Sequence, residues 1–345
     1  MISSVFPAQP NDLPWPTTEW PHGAPGHDVD AHRLQRLIDD ALAQPAELGL
    51  TLAVVAVHRG RLVAEAYGPD TTRNTTLISW SMAKSITHAA VGLLVGDGLI
   101  DLSAPVPVAA WANDDRRHIT MQQLLNMSSG LHFVEDYVDT GVSHVIEMLF
   151  GEGIDDHAAY AANLPLDHQP GEVWNYASGT TNIIARIVGD IVGDGLTGME
   201  AFLKRRLFSP LGMTSASPKF DAAGTFVGSS YVYASALDFA RFGYLYLRDG
   251  RWNDQQLLPA GWVDHARAPV AAALAAHETH GYGAQWWLWR HSRSTFFASG
   301  YEGQRTIVSP ERDLVIVRLG KSPSELGPAY DAWLDQVINC FPTHT

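Results

Sequence analysis

Cysteine is almost absent. Cys340 stands alone in 345 residues, which excludes an internal disulfide and any cysteine-based zinc cluster. In a C-terminal apolar helix it reads as packing. Lysine is scarce as well, at Lys84, Lys204, Lys219 and Lys321 only. With 23 Lys and Arg against 37 Asp and Glu, the formal net charge is −14. That balance argues against nucleic acid as a partner, because such affinity comes mostly from cations on phosphates. The densest basic cluster, Lys204-Arg205-Arg206, lies in the amphipathic stretch Met199–Leu207 and reads as a solvated helix face. No apolar run reaches the roughly 18–20 residues of a membrane span. The chain opens on Pro7, Pro10, Pro14, Pro16 and Pro21 without a basic segment followed by an apolar one, so no secretion signal is expected and a cytoplasmic location is.

Hydrophobic residues make up 46% of the chain and charged residues 17%, an ordinary globular balance with length enough for a large core. Residues 1–28 read as an extended arm anchored by Trp15 and Trp20. A helix is expected over Asp30–Ala43, then a hairpin of Thr51–Val57 and Leu62–Tyr67 about Arg59-Gly60. Helical patterns follow at Met82–Val95, Thr120–Met127, Val142–Phe150, from Thr181 to Val192, and at Ala236–Tyr246. Strands return at Tyr282–Trp289, Ser294–Ser299, Gln304–Ser309 and Leu314–Arg318, and a last helix spans Gly327–Phe341. Consecutive strands with short turns imply an antiparallel sheet. The expected architecture is therefore an α/β (α+β) fold. Residues 1–75 and 210–345 form the sheet domain, residues 76–209 an inserted helical domain, and the cleft between them is the natural site.

Three segments carry chemistry. In Ser81-Met82-Ala83-Lys84, a serine and a lysine three residues apart share a helix face. Serine is a poor nucleophile until a base takes its proton, and lysine becomes that base when burial lowers its pKa. Ile86, Ala90, Val91 and Leu94 supply the apolar surroundings, and a serine at a helix start has backbone N–H groups nearby for an oxyanion. Alone, the spacing is common enough to arise by chance. The second segment, Trp174-Asn175-Tyr176-Ala177-Ser178-Gly179, reads as a loop before a helix, with Tyr176 placed to relay a proton. In the third, Phe296–Gln304, an apolar strand runs into Gly300 and Gly303, where backbone can approach a ligand closely.

Together and in this order, these segments resemble the penicillin-recognising serine hydrolases, most of all the class C β-lactamase branch with its family VIII esterases and 6-aminohexanoate-dimer hydrolases. Ile119–Leu131, Val227–Leu247, Leu258–Trp262, Tyr282–Trp287 and Pro310–Val315 fit the same pattern, and the likeness spans residues 12–340. The resemblance implies Ser81 as acylated nucleophile, Lys84 as its base and Tyr176 as the catalytic tyrosine. It implies Ala298-Ser299-Gly300 as the strand lining the acyl site, and the N–H groups of Ser81 and Tyr301 as the oxyanion hole. Two departures stand out. The family's Tyr-x-Asn is Tyr176-Ala177-Ser178 here, with Ser178 taken as substrate-lining, and the lysine of Lys-Thr-Gly is Ala298. The missing cation weighs against a β-lactam or peptidoglycan substrate, whose carboxylate that region holds.

The expected function is hydrolysis of a small-molecule amide or ester through an acyl-enzyme on Ser81, with no cofactor, metal, nucleic acid or membrane partner. The alternatives are a β-lactamase or D,D-peptidase, and a non-catalytic binding protein on the same scaffold. No Gly-x-Ser-x-Gly elbow is present. His277-Glu278-Thr279-His280 is one residue short of a zinc His-Glu-x-x-His and reads as loop. Asp155-Asp156-His157 reads as a solvated loop.

Overall fold

The computed structural model describes residues 6–137, 141–276, 279–290, 292 and 294–343. Strands β1 (Leu50–His58) and β2 (Arg61–Tyr67) form the expected hairpin. Arg59 and Gly60 both take positive φ, 49° and 76°, the turn geometry that follows the natural twist of paired strands. Strands β3 (Gly281–Tyr282), β4 (Trp287–Leu288), β5 (Phe296–Gly300), β6 (Gln304–Ser309) and β7 (Leu314–Lys321) complete a seven-stranded sheet in the order β2-β1-β7-β6-β5-β4-β3. Its pairings are antiparallel. The two ends of the chain therefore meet at its centre, where Val54 lies opposite Arg318 and Val55 opposite Val317.

Five helices position the site: α1 (Ala31–Ala43), α2 (Ala83–Gly96), α3 (Ser178–Val192), α4 (Ala236–Leu247) and α5 (Gly327–Ile338). Side chains alternate across a strand. Val54 and Ala56 thus join a core with α1 and α5, while Val55 and Val57 join the opposite one with α4. Helix α2 is buried all round from Ala83 to Leu94. Its apolar residues pack on every side, and its buried polar side chains Lys84, Ser85, Thr87 and His88 each find a hydrogen-bond partner. A small second sheet of Leu77–Ile78, Val232–Ala234 and Ser217–Pro218 ties together the chain on either side of the helical segment. Trp20, 3% exposed, meets Tyr244 edge-on, and Trp15 leans on Trp252, so both arm tryptophans do anchor.

Several expectations need correction. Helix α3 starts at Ser178, three residues before Thr181, so Ser178 and Gly179 belong to its first turn. The single strand expected over Tyr282–Trp289 breaks at Gln285, whose φ is +58°. That bend turns Gln285 inward, where it binds Leu125 through backbone and side chain and accepts from Ser85 and Thr181. Asp155-Asp156-His157 is not simply solvated, since Asp156 caps the helix His157–Ala162 and His157 is buried against Asp221. The last helix ends at Ile338 rather than Phe341. Cys340 is buried, as packing predicts. His277 and Glu278 lie outside the described residues. Among the described residues no group of His, Cys, Asp and Glu is arranged to hold a metal, and no helix is long and apolar enough to cross a membrane.

Candidate active site

Ser81 sits in a 3₁₀ turn, Trp80–Met82, that leads directly into α2. Trp80 is held at φ +43°, a left-handed conformation that a bulky side chain resists by roughly 1–3 kcal/mol. Its surroundings impose it. The Trp80 indole N–H donates to Glu302 at 3.3 Å, and its ring meets Tyr301 edge-on at 5.8 Å. Ser79 pins the turn from below, its N–H donating to the Val232 carbonyl and its hydroxyl accepting from the Val232 N–H.

Lys84 points back one turn. Its Nζ lies 3.0 Å from Ser81 Oγ, 2.9 Å from Ser178 Oγ and 3.1 Å from the Ser229 carbonyl. The side chain is 1% exposed. Burial disfavours the ammonium and lowers the Lys84 pKa to about 8, against the smaller opposing pull of the Glu135 carboxylate. Near neutrality, then, a useful fraction of this lysine is a free amine in contact with the serine.

The Tyr176 ring covers the same amine, its centroid 4.9 Å from Nζ, and its hydroxyl faces Ser81 and the Trp287 indole. Burial, reinforced by Glu135, pushes the Tyr176 phenol well above its ordinary range. The phenol is therefore protonated at neutral pH. Ser178 is not where the resemblance put it. It is fully buried behind the lysine rather than lining the cleft. Its N–H donates to Glu135 Oε2 at 2.7 Å and its hydroxyl to Oε1 at 2.6 Å.

Ser81 and Tyr176 open onto a cleft of about 300 Å³ that also takes in Trp287, Ser299, Gly300, Tyr301 and Arg305. Tyr137 and Tyr301 stack over it with ring centroids 4.7 Å apart. Gly300 is extended at φ −129°, so its need for glycine is steric. A β-carbon there would overlap the Ser79 carbonyl oxygen. Strand β5 thus presses its backbone against the nucleophile turn. Ala298, the position expected to lack a cation, is 1% exposed and packs in the core. The cation of this cleft comes from the neighbouring strand instead. Arg305 pairs with Ser299 across β5–β6 and lies over Phe297 and Tyr330 at 5.4 Å each. Its Nη1 donates to the Gly300 and Gln304 carbonyls, its Nη2 lies 3.9 Å from the Asp331 carboxylate, and its Nε has no hydrogen-bond partner among the described residues.

The structure thus brings Ser81, Lys84 and Tyr176 together, with Ser299, Gly300 and Tyr301 across the cleft. Glu135, Tyr137 and Arg305 were missed. Glu135 and Tyr137 lie just past the segment Ile119–Leu131, beyond His132, Phe133 and Val134, without local periodicity. Arg305 is accessible to sequence reasoning, since the tight turn at residues 301–303 places it opposite Ser299.

The beta-lactamase family model matches residues 34–338, and the chain belongs to that family. It is accordingly a serine hydrolase. The chain is 27% identical over 299 residues to the 6-aminohexanoate-dimer hydrolase of Paenarthrobacter ureafaciens, covering 82% of this chain and 75% of that protein. A solved structure from Bacillus anthracis, described provisionally as a 6-aminohexanoate-dimer hydrolase, superposes with a TM-score of 0.75 at 24% identity over 93% of this chain and 88% of that one. A family VIII carboxylesterase superposes at 0.66 with 13% identity, covering 92% and 99%. Both structural likenesses speak to the fold.

Proposed function

We propose that this enzyme hydrolyses small linear amides or esters through an acyl-enzyme on Ser81. The observation that carries the proposal is the 3.0 Å contact between Ser81 Oγ and a fully buried Lys84 amine whose pKa is lowered to about 8. As the bond from Oγ to the substrate carbonyl forms, the Ser81 proton passes to Nζ. The oxyanion is received by the N–H groups of Ser81 and Tyr301, on the two backbones that Gly300 allows to meet. The proton then travels through the Tyr176 hydroxyl to the leaving nitrogen or oxygen as that bond breaks, and a water repeats the sequence on the ester. The test is a panel of linear amides, short-chain esters and β-lactams. Ser81→Ala is expected to abolish turnover and fluorophosphonate labelling, and unchanged turnover in Ser81→Ala refutes the proposal.

Arg305 narrows the substrate. A half-paired guanidinium in the cleft favours an acyl or leaving group that carries a carboxylate, as a 6-aminohexanoate dimer does. A charge-assisted hydrogen bond of about 1.5–3 kcal/mol corresponds to roughly tenfold or more in binding. Arg305→Ala is expected to raise KM by that factor for carboxylate-bearing substrates, with little change for a neutral nitrophenyl ester. Equal effects on both would remove Arg305 from substrate recognition. A β-lactam also bears a carboxylate, so nitrocefin turnover far above that of linear amides and esters would favour the β-lactamase alternative.

A further inference from the structure

Lys84 makes three contacts, and their polarity decides whether it can act as a base. The Ser229 carbonyl can only accept. Ser178 has one hydroxyl proton, and that proton is committed 2.6 Å away to Glu135 Oε1. A carboxylate is acceptor-only, and Glu135 receives the Ser178 N–H and hydroxyl and the Tyr137 hydroxyl, the last at 2.8 Å. Ser178 Oγ is therefore left as an acceptor toward Nζ. A neutral amine has two hydrogens and one lone pair. With both hydrogens drawn to the Ser229 carbonyl and Ser178 Oγ, the lone pair is left facing Ser81.

We infer that Glu135 is the positioning residue of this site, which by fixing the polarity of Ser178 aims the Lys84 lone pair at the Ser81 hydroxyl. The inference rests on Ser81 and Lys84 acting as proposed above. Glu135→Gln is close to isosteric and reverses the polarity. The Gln oxygen is held by the Ser178 N–H, so its NH₂ points at Ser178 Oγ. Ser178 must then donate its own proton to Nζ and compete with Ser81 for the lone pair.

Fluorophosphonate labelling reads this without knowledge of the natural substrate: Oγ–P forms, P–F breaks, and the Ser81 proton goes to Lys84. Its rate follows the free amine. The other groups around Lys84 leave the neutral range clear. Burial holds the phenols of Tyr176, Tyr137 and Tyr282 high and keeps His88, one turn along α2, neutral. Arg305 stands across the cleft. In wild type the rate is expected to rise with pH through about 8. In Glu135→Gln the plateau should fall at least about tenfold, and the limb should move down by about one pH unit as the carboxylate's pull on the ammonium is lost. In Ser178→Ala the plateau also falls, and adding Glu135→Gln lowers it no further. A Glu135→Gln plateau within about twofold of wild type with an unmoved limb would overturn the inference. So would an undiminished effect in the Ser178→Ala background, and if Glu135→Gln does not fold, an unchanged plateau in Ser178→Ala alone does so. Wild-type protein that fails to label at Ser81 refutes instead the acyl-enzyme proposal.

Discussion

Lys84→Met is expected to lower kcat by about a thousandfold or more while leaving Tm within a few degrees of wild type. The two halves have separate origins. Methionine nearly fills the lysine stem but cannot take a proton, so general-base catalysis, typically worth about 10²–10⁴-fold, is lost. For stability, burial lowers the lysine pKa from 10.5 to about 8. That shift corresponds to roughly 3 kcal/mol of destabilisation wherever both folded and unfolded states carry the proton. The penalty is full below pH 8, fades as the folded state releases its proton first, and is gone above the unfolded value, so this group makes stability rise with pH across that window. Lys84→Met removes the penalty at neutral pH but leaves Ser178 Oγ and the Ser229 carbonyl one partner short, at about 1–3 kcal/mol each. The two effects nearly cancel. Parallel calorimetry and single-turnover kinetics check both halves. A collapse in Tm would make Lys84 a structural residue, and retained turnover would exclude it as the base.

What the sequence shows of the site is the part set by local contacts. Ser81 and Lys84 are local, since they share a face and the helix that buries Lys84 carries a visible apolar run. The β-branched, apolar run of β1 and the Arg59-Gly60 turn are local in the same sense. The start of α3 is not. The preceding Ala177 has no side chain to cap the helix, and the first N–H, at Ser178, is satisfied by Glu135, 43 positions earlier. A helix capped by a distant carboxylate looks in sequence like one that begins at the next Ser/Thr run, which is why Thr181 presented itself. The same contact moved Ser178 from cleft to interior. Gln285 follows the same logic, because a residue that breaks a strand to join α2, α3 and Leu125 is dictated by those partners. Ala298 misled for a different reason. Its place in the motif suggested a missing charge in the cleft, whereas its side chain faces the core and Arg305, one strand over, supplies the charge.

Gly300→Ala is expected to reduce kcat/KM by about a hundredfold or more, the scale of losing one oxyanion donor. The backbone at Gly300 is extended at φ −129°, a conformation alanine adopts freely, so backbone strain would not contribute. The obstacle is the Ser79 carbonyl, which occupies the space of the missing β-carbon. That carbonyl cannot simply yield. Ser79 is tied to Val232 by two hydrogen bonds, and it directly precedes the left-handed Trp80 whose indole is held by Glu302. Relief must come from β5 moving away from the nucleophile turn, carrying with it the Tyr301 N–H proposed to receive the oxyanion. Misplacement of that donor by even about 1 Å is enough for a loss of this order. Substrate binding along Arg305 would change less, because that side chain is carried on β6 and its shorter hydrogen bond goes to the Gln304 carbonyl of that strand. The expected signature is a kcat effect far larger than the KM effect, together with a lower Tm from the forced separation. If Gly300→Ala instead raised KM with kcat intact, the close approach of β5 to Ser79 would serve substrate entry, and the oxyanion would have to be held without Tyr301.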